Sequence, residues 1–127
     1  MSLNSIHAVT FGRVAPGLAV RDIQAAYAFY SQILGFEKVF ENGQPVGFMV
    51  LKKDAAEIHI SQKRDHVAST VNSCHMFVDD VAALYEICQA AGVRIIKSLQ
   101  VKDYGQRAFV FADPDGNRVD VGERLRA

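Results

Sequence analysis

Two stretches of this chain repeat one pattern, and that repeat limits the fold more than any other feature. Val20, Asp22, Ile23, Tyr27 and Gly35 recur as Val78, Asp80, Val81, Tyr85 and Gly92, with the Asp-to-Gly spacing differing by one residue. In each copy an Asp precedes an apolar run of helical period and a Gly follows it. The Asp side chain can accept the free N–H groups of a first helical turn, and the Gly can take the left-handed conformation that ends a helix. Ile23, Tyr27, Tyr30 and Leu34 fall on one face of the first helix, and Val81, Leu84, Tyr85 and Cys88 on one face of the second. A repeated unit implies a repeated supersecondary motif, so the two halves are expected to fold alike.

The surrounding strand patterns complete the unit. Residues 13–20 precede the first helix, and 37–41, 46–51 and 56–61 follow it, with Asn42-Gly43 and Lys53-Asp54 as turns. Residues 73–78 precede the second helix, and 94–99, 106–111 and 118–123 follow it, with Asp113-Pro114-Asp115-Gly116 as a turn. The polar stretch QKRDHVASTVN, residues 62–72, reads as a linker. The expectation is one α+β domain over residues 1–127, built from two βαβββ modules at about 13–61 and 73–123. A half of about 60 residues is marginal alone. The modules are therefore expected to pair into a curled mixed sheet with the helices outside and a cavity within.

Strand alternation then assigns faces. Ile58 and Ile60 pack on a helix, so His59 points into the cavity. Val119 and Val121 do the same, which turns Asp120 inward. Met76 and Val78 leave Ser73, His75 and Phe77 facing in. Glu57 and Glu123, on the same strands, read as rim or solvated residues.

Composition excludes several classes. Fourteen basic and fourteen acidic residues give zero formal charge, without the net basic face that nucleic-acid binding needs. No apolar run approaches the ~20 residues of a membrane span. The opening MSLNSIHAVTF lacks the basic and apolar regions of a signal peptide, so the expected location is the cytoplasm. Two cysteines, Cys74 and Cys88, are too few for a disulfide framework and read as buried, inert thiols. There is no G-x-S-x-G, P-loop or G-x-G-x-x-G motif, and no catalytic residue is assigned.

Three segments, LAVRDIQAAYAFYSQILGFE, CHMFVDDVAALYEICQAAGV and YGQRAFVFADPDGNRVDVGE, together resemble the vicinal oxygen chelate superfamily of glyoxalases, bleomycin-resistance proteins and dioxygenases, over about residues 13–123. The metal enzymes of that superfamily hold their ion through slots that fall here on Ala15, His59, Ser73 and Asp120. Ala15 has no donor atom and Ser73 is a poor ligand, so the resemblance implies an incomplete site. His75 in place of Ser73 gives His59, His75 and Asp120 as the alternative metal set, suited to ferrous iron or manganese. Pro16 before Leu18, the Arg21-Asp22 pair and the YGQRAF segment are similar to the bleomycin-resistance branch. That branch binds its ligand without metal or chemistry, in a groove of a homodimer.

The resemblance thus implies a metal-free small-molecule-binding protein with no cofactor, sequestering an antibiotic or other planar ligand. The alternative is an enzyme with one divalent metal ion: a glyoxalase-type lyase or isomerase, a dioxygenase or an antibiotic-modifying transferase. Bleomycin is a cation with planar rings, and its binders are expected to be acidic and rich in stacking faces. This neutral chain has no Trp, though it has eight Phe and four Tyr. The candidate ligand-binding residues are His59, His75, Tyr104, Arg107, Phe109 and Asp120. Arg107 shares a face with Phe109 and Phe111, where an Arg beside aromatic rings suits an acidic or planar ligand. His7 and His66 are expected to be exposed.

Overall fold

The computed structural model describes residues 5–125. After a short 3-10 turn the elements run β1(Gly17–Val20), α1(Ile23–Gln32), β2(Glu37–Asn42), β3(Phe48–Lys53), β4(Ala56–Gln62), β5(Asn72–Phe77), α2(Val81–Ala90), β6(Arg94–Lys102), β7(Gln106–Ala112) and β8(Arg118–Arg124). Both helices begin where their caps place them. Asp22 accepts the N–H groups of Gln24 and Ala25, and Asp80 accepts that of Ala83. Gly35 and Gly92 take φ of 80° and 73° just beyond the two helices. No helix among the described residues is long and apolar enough to cross a membrane.

The first strand begins four residues later than the pattern at 13–20 suggests. Pro16 has no N–H to give a ladder, although its carbonyl accepts from His59 N. Val14 before it is almost fully exposed. β1 runs parallel to β4 in a sheet ordered β1-β4-β3-β2, and β5 runs parallel to β8 in a sheet ordered β5-β8-β7-β6. Within one chain the modules remain two separate four-stranded sheets. Each has two edge strands, β1 and β2 in one and β5 and β6 in the other.

The helix-covered faces of both sheets meet in a single core. Leu18, Val20, Ile58 and Ile60 from the first sheet share it with Phe109, Phe111, Val119 and Val121 from the second. Phe29 of α1 reaches Phe111 of β7 at 6.1 Å between ring centroids, so α1 touches the second module as well as its own sheet. Cys88 is fully buried there, and burial pushes both thiols up to about 11, which keeps them protonated at neutral pH.

The loop between β7 and β8 fastens one module to the other. Asp113, Asp115 and Asn117 are all buried. Tyr30 donates its hydroxyl to Asp113 Oδ2 at 2.8 Å, and the N–H groups of Asp115 and Asn117 both donate to Asp113 Oδ1 at 2.9 Å. Asn117 Nδ2 bonds the Ala19 carbonyl at 2.8 Å, and Arg21 N donates to Asp115 Oδ1 at 2.8 Å. Arg21 also ties down the linker: its Nε donates to the carbonyl of His66, which is half-buried rather than exposed.

Burial first, and then the Asp113 carboxylate, raise the Tyr30 phenol well above its ordinary 10.0. The folded state therefore holds a proton that the unfolded state loses above about pH 10, and stability falls as pH rises beyond that value. A Tyr30→Phe variant should lose this alkaline component. Urea midpoints measured between pH 9 and 11 would expose the difference, and parallel curves for the two proteins would refute it.

Candidate functional site

The faces turned away from the core are open, and they carry most of the polar residues that alternation selected. On the second sheet, the parallel register of β5 and β8 sets His75 opposite Asp120. His75 Nδ1–H donates to Asp120 Oδ2 at 2.8 Å, since an ionised carboxylate can only accept. The other ring nitrogen lies 3.0 Å from Gln106 Oε1 on β7. The ring reaches across β8 because Gly122 has no side chain. A Cβ there would come within 2.3 Å of Gln106 Oε1 and 3.0 Å of His75 Cε1. Asp120 in mid-strand is thus neither solvated nor buried in the core: it orients an imidazole on an open face.

On the first sheet, His59 pairs locally with Glu57, at 2.7 Å from Nε2 to Oε2. Glu57 also meets Arg13 at 3.5 Å and Lys52 at 3.9 Å. The hydrogen bond from His59 is the main cause holding the Glu57 carboxyl below its usual range. Phe48 approaches His59 edge-on at 5.5 Å, and Phe40 approaches Phe48 at 6.2 Å. These two Phe residues form an aromatic stripe with His59. The sequence reading passed over both, although Phe48 and Val50 alternate with the buried Met49 and Leu51.

Three placements differ from expectation. Phe109 is only 1% exposed and packs against Tyr85 of α2 at 5.0 Å, in the core. Arg107 does share its face, but that face is the helix-covered one, because Phe109 pairs with Val121 and Arg107 with Glu123. Glu123 follows the same parity and accepts the Val81 N–H at the start of α2 at 3.0 Å, so it caps rather than lines a rim. Tyr104 lies in the β6–β7 turn, half exposed. Desolvation first, then the Asp120 and Asp103 carboxylates, raise its phenol above the ordinary 10.0.

The alternative metal set does not assemble within the chain. His59 bonds Glu57, whereas His75 bonds Asp120, and among the described residues no three His, Cys, Asp or Glu side chains gather as ligands. A cavity of about 320 Å³ draws its wall from both modules, with Pro16 and Glu57 from the first and His75 and Phe77 from the second.

The family model of the glyoxalase/bleomycin resistance protein/dioxygenase superfamily matches residues 6–121. The chain belongs to this superfamily. A bleomycin resistance protein from Klebsiella pneumoniae is 29% identical over 113 residues, spanning 82% of this chain and 86% of the relative. The crystal structure of a bleomycin-binding protein complexed with bleomycin superposes with a TM-score of 0.76 at 25% identity, covering 90% of this chain and 99% of that one. The fosfomycin resistance protein FosX from Listeria monocytogenes shares the superfamily fold, with a TM-score of 0.74 at 19% identity over 91% and 94% of the two chains. The same fold thus occurs in proteins named for resistance to different drugs, so it does not by itself fix a ligand.

Proposed function

We propose that this protein binds a small planar molecule, an antibiotic or a molecule like one, without a metal ion, in a groove built between two copies of the chain in the cytoplasm. One observation carries the reading: within a single chain, His59 with its aromatic stripe and the His75–Asp120 pair lie on separate open faces. The edge strands β1 and β5 give each copy a means to join those faces. The exposed apolar residues Phe11 and Val14, which lead into β1, supply surface for a partner to bury. The bleomycin-binding relatives support a binding role over a catalytic one.

Light scattering on the purified chain should give a dimer mass, and elemental analysis of protein purified without chelators should give metal far below one ion per chain. A stable monomer would remove the groove. Stoichiometric iron, manganese, nickel or zinc would move the reading to a metal-dependent enzyme using His59, His75 and Asp120.

A further inference from the structure

We infer that the ligand of this groove is a planar aromatic anion, an inference that rests on the groove proposed above and names its ligand class. The chain is neutral as a whole, but its charges are not evenly placed. On the second sheet the register sets Lys97 opposite Val110, both Arg94 and Arg118 opposite Ala112, and both Lys102 and Arg124 opposite Gln106. Val110 is itself opposite Asp120, and Gln106 bonds His75, so these five cations share the open face with the His75–Asp120 pair. None of the five makes an ion pair among the described residues.

Asp120 is the one carboxylate that the strands set on this face, and its Oδ2 is occupied by His75. With Asp103 of the β6–β7 turn included, five cations face two carboxylates. The open face of the first sheet does not redress the balance, because its two acids, Glu57 and Glu37, stand beside two cations: Glu57 meets Arg13 and Lys52, and Glu37 lies opposite Lys52. The compensating acids lie elsewhere: Asp22 and Asp80 cap helices, Asp113 and Asp115 hold the inter-module loop, and Glu123 meets the start of α2.

A groove lined by unmatched cations concentrates anions and repels cations, and the effect strengthens where walls exclude water. Flat apolar partners stand beside the charges. Phe77 lies 4.7 Å from His75, and the Arg124 guanidinium stacks over Phe77 at 4.7 Å. Phe40 and Phe48 supply rings on the first sheet. Rings for a planar body and guanidinium and ammonium groups for a carboxylate, sulfonate or phosphate make a consistent set. A cationic glycopeptide such as bleomycin would meet like charge here.

The test uses two ligands with the same ring and opposite charge. Titrating the isotopically labelled protein with 2-naphthalenesulfonate and with 2-naphthyltrimethylammonium at low salt should show the sulfonate binding at least tenfold more tightly. The shifted amides should fall on β5–β8, and the gap should narrow as salt is added. Lys102→Glu and Arg118→Glu should each weaken the sulfonate at least tenfold, with Lys102→Arg retaining it; Lys102→Gln and Arg118→Gln give the same direction if a reversal perturbs folding. Equal binding of the two naphthalenes, or a preference for the cation, overturns this inference and leaves the groove standing. Binding of neither overturns both. Displacement of the sulfonate by a short single-stranded oligonucleotide whose own binding is lost in the same charge reversals assigns the face to nucleic acid and overturns the small-anion reading.

Discussion

Asp113→Ala should destabilise the fold by about 3–5 kcal/mol, because it strands several buried donors at once and each costs roughly 1–3 kcal/mol when left unpaired. The donors are the Tyr30 hydroxyl, the N–H groups of Asp115 and Asn117, and Asn117 Nδ2. Domains of this size are stable by only about 5–15 kcal/mol, so the loss would consume a large share of the total. The damage should also be directional. Tyr30 belongs to the first module and Asp113 to the second, so the variant loosens the contact between modules before it loosens either sheet. Urea denaturation followed by Tyr fluorescence and by amide exchange would separate the two effects. Tyr30→Phe, which removes one donor and leaves the loop intact, should lose about 1–2 kcal/mol. A loss below about 1 kcal/mol for Asp113→Ala would show that the loop's bonds are replaced by water at little cost.

The second large effect is expected at Gly122, and it is on recognition rather than folding. Gly122→Val drives a branched side chain into the space that His75 and Gln106 share. Gln106 can swing aside, but the ring of His75 has to tilt away from Asp120. Overpacking at one position costs about 1–3 kcal/mol of stability, which the fold can absorb. Losing an oriented, charge-assisted hydrogen bond at the ligand face should weaken binding by roughly ten- to a hundredfold. Imidazole nitrogen shifts of His75 report the tilt directly, and titration with a planar ligand reports its consequence. Unchanged His75 shifts in Gly122→Val would show that the ring is placed by something other than the missing side chain.

The sequence made the local parts of this structure legible and left the long-range parts out of reach. Helix limits were readable because Asp22, Asp80, Gly35 and Gly92 act within a turn of where they stand. Alternation put His59, His75 and Asp120 on the faces they occupy, since each is flanked by residues with an evident partner in the core. The same rule grouped Arg107 with Phe109 and Phe111 correctly but chose the wrong side. Parity says which residues travel together, while the side they take depends on the pairing of Phe109 with Val121, a contact between strands. Phe40 escaped notice because the β2–β3 register shifts between Lys38 and Phe40, which hides the alternation there. The loop at Asp113 was readable as a turn. Its grip on Ala19, Arg21 and Tyr30 was not, because those partners lie 83 to 98 residues away in the chain.

The two halves have divided their labour through a difference in one hairpin. β7 and β8 are joined by five residues that clasp the other module, whereas β3 and β4 are joined by only Asp54 and Ala55. After a duplication, one copy of a turn can be held constant to keep the fold together while the surfaces around it drift. The residues that could drift here, on β2, β3 and β6, are not those that form the clasp. A lineage with this arrangement can therefore change what it recognises by ordinary substitutions on its open faces, with its foldability inherited almost untouched.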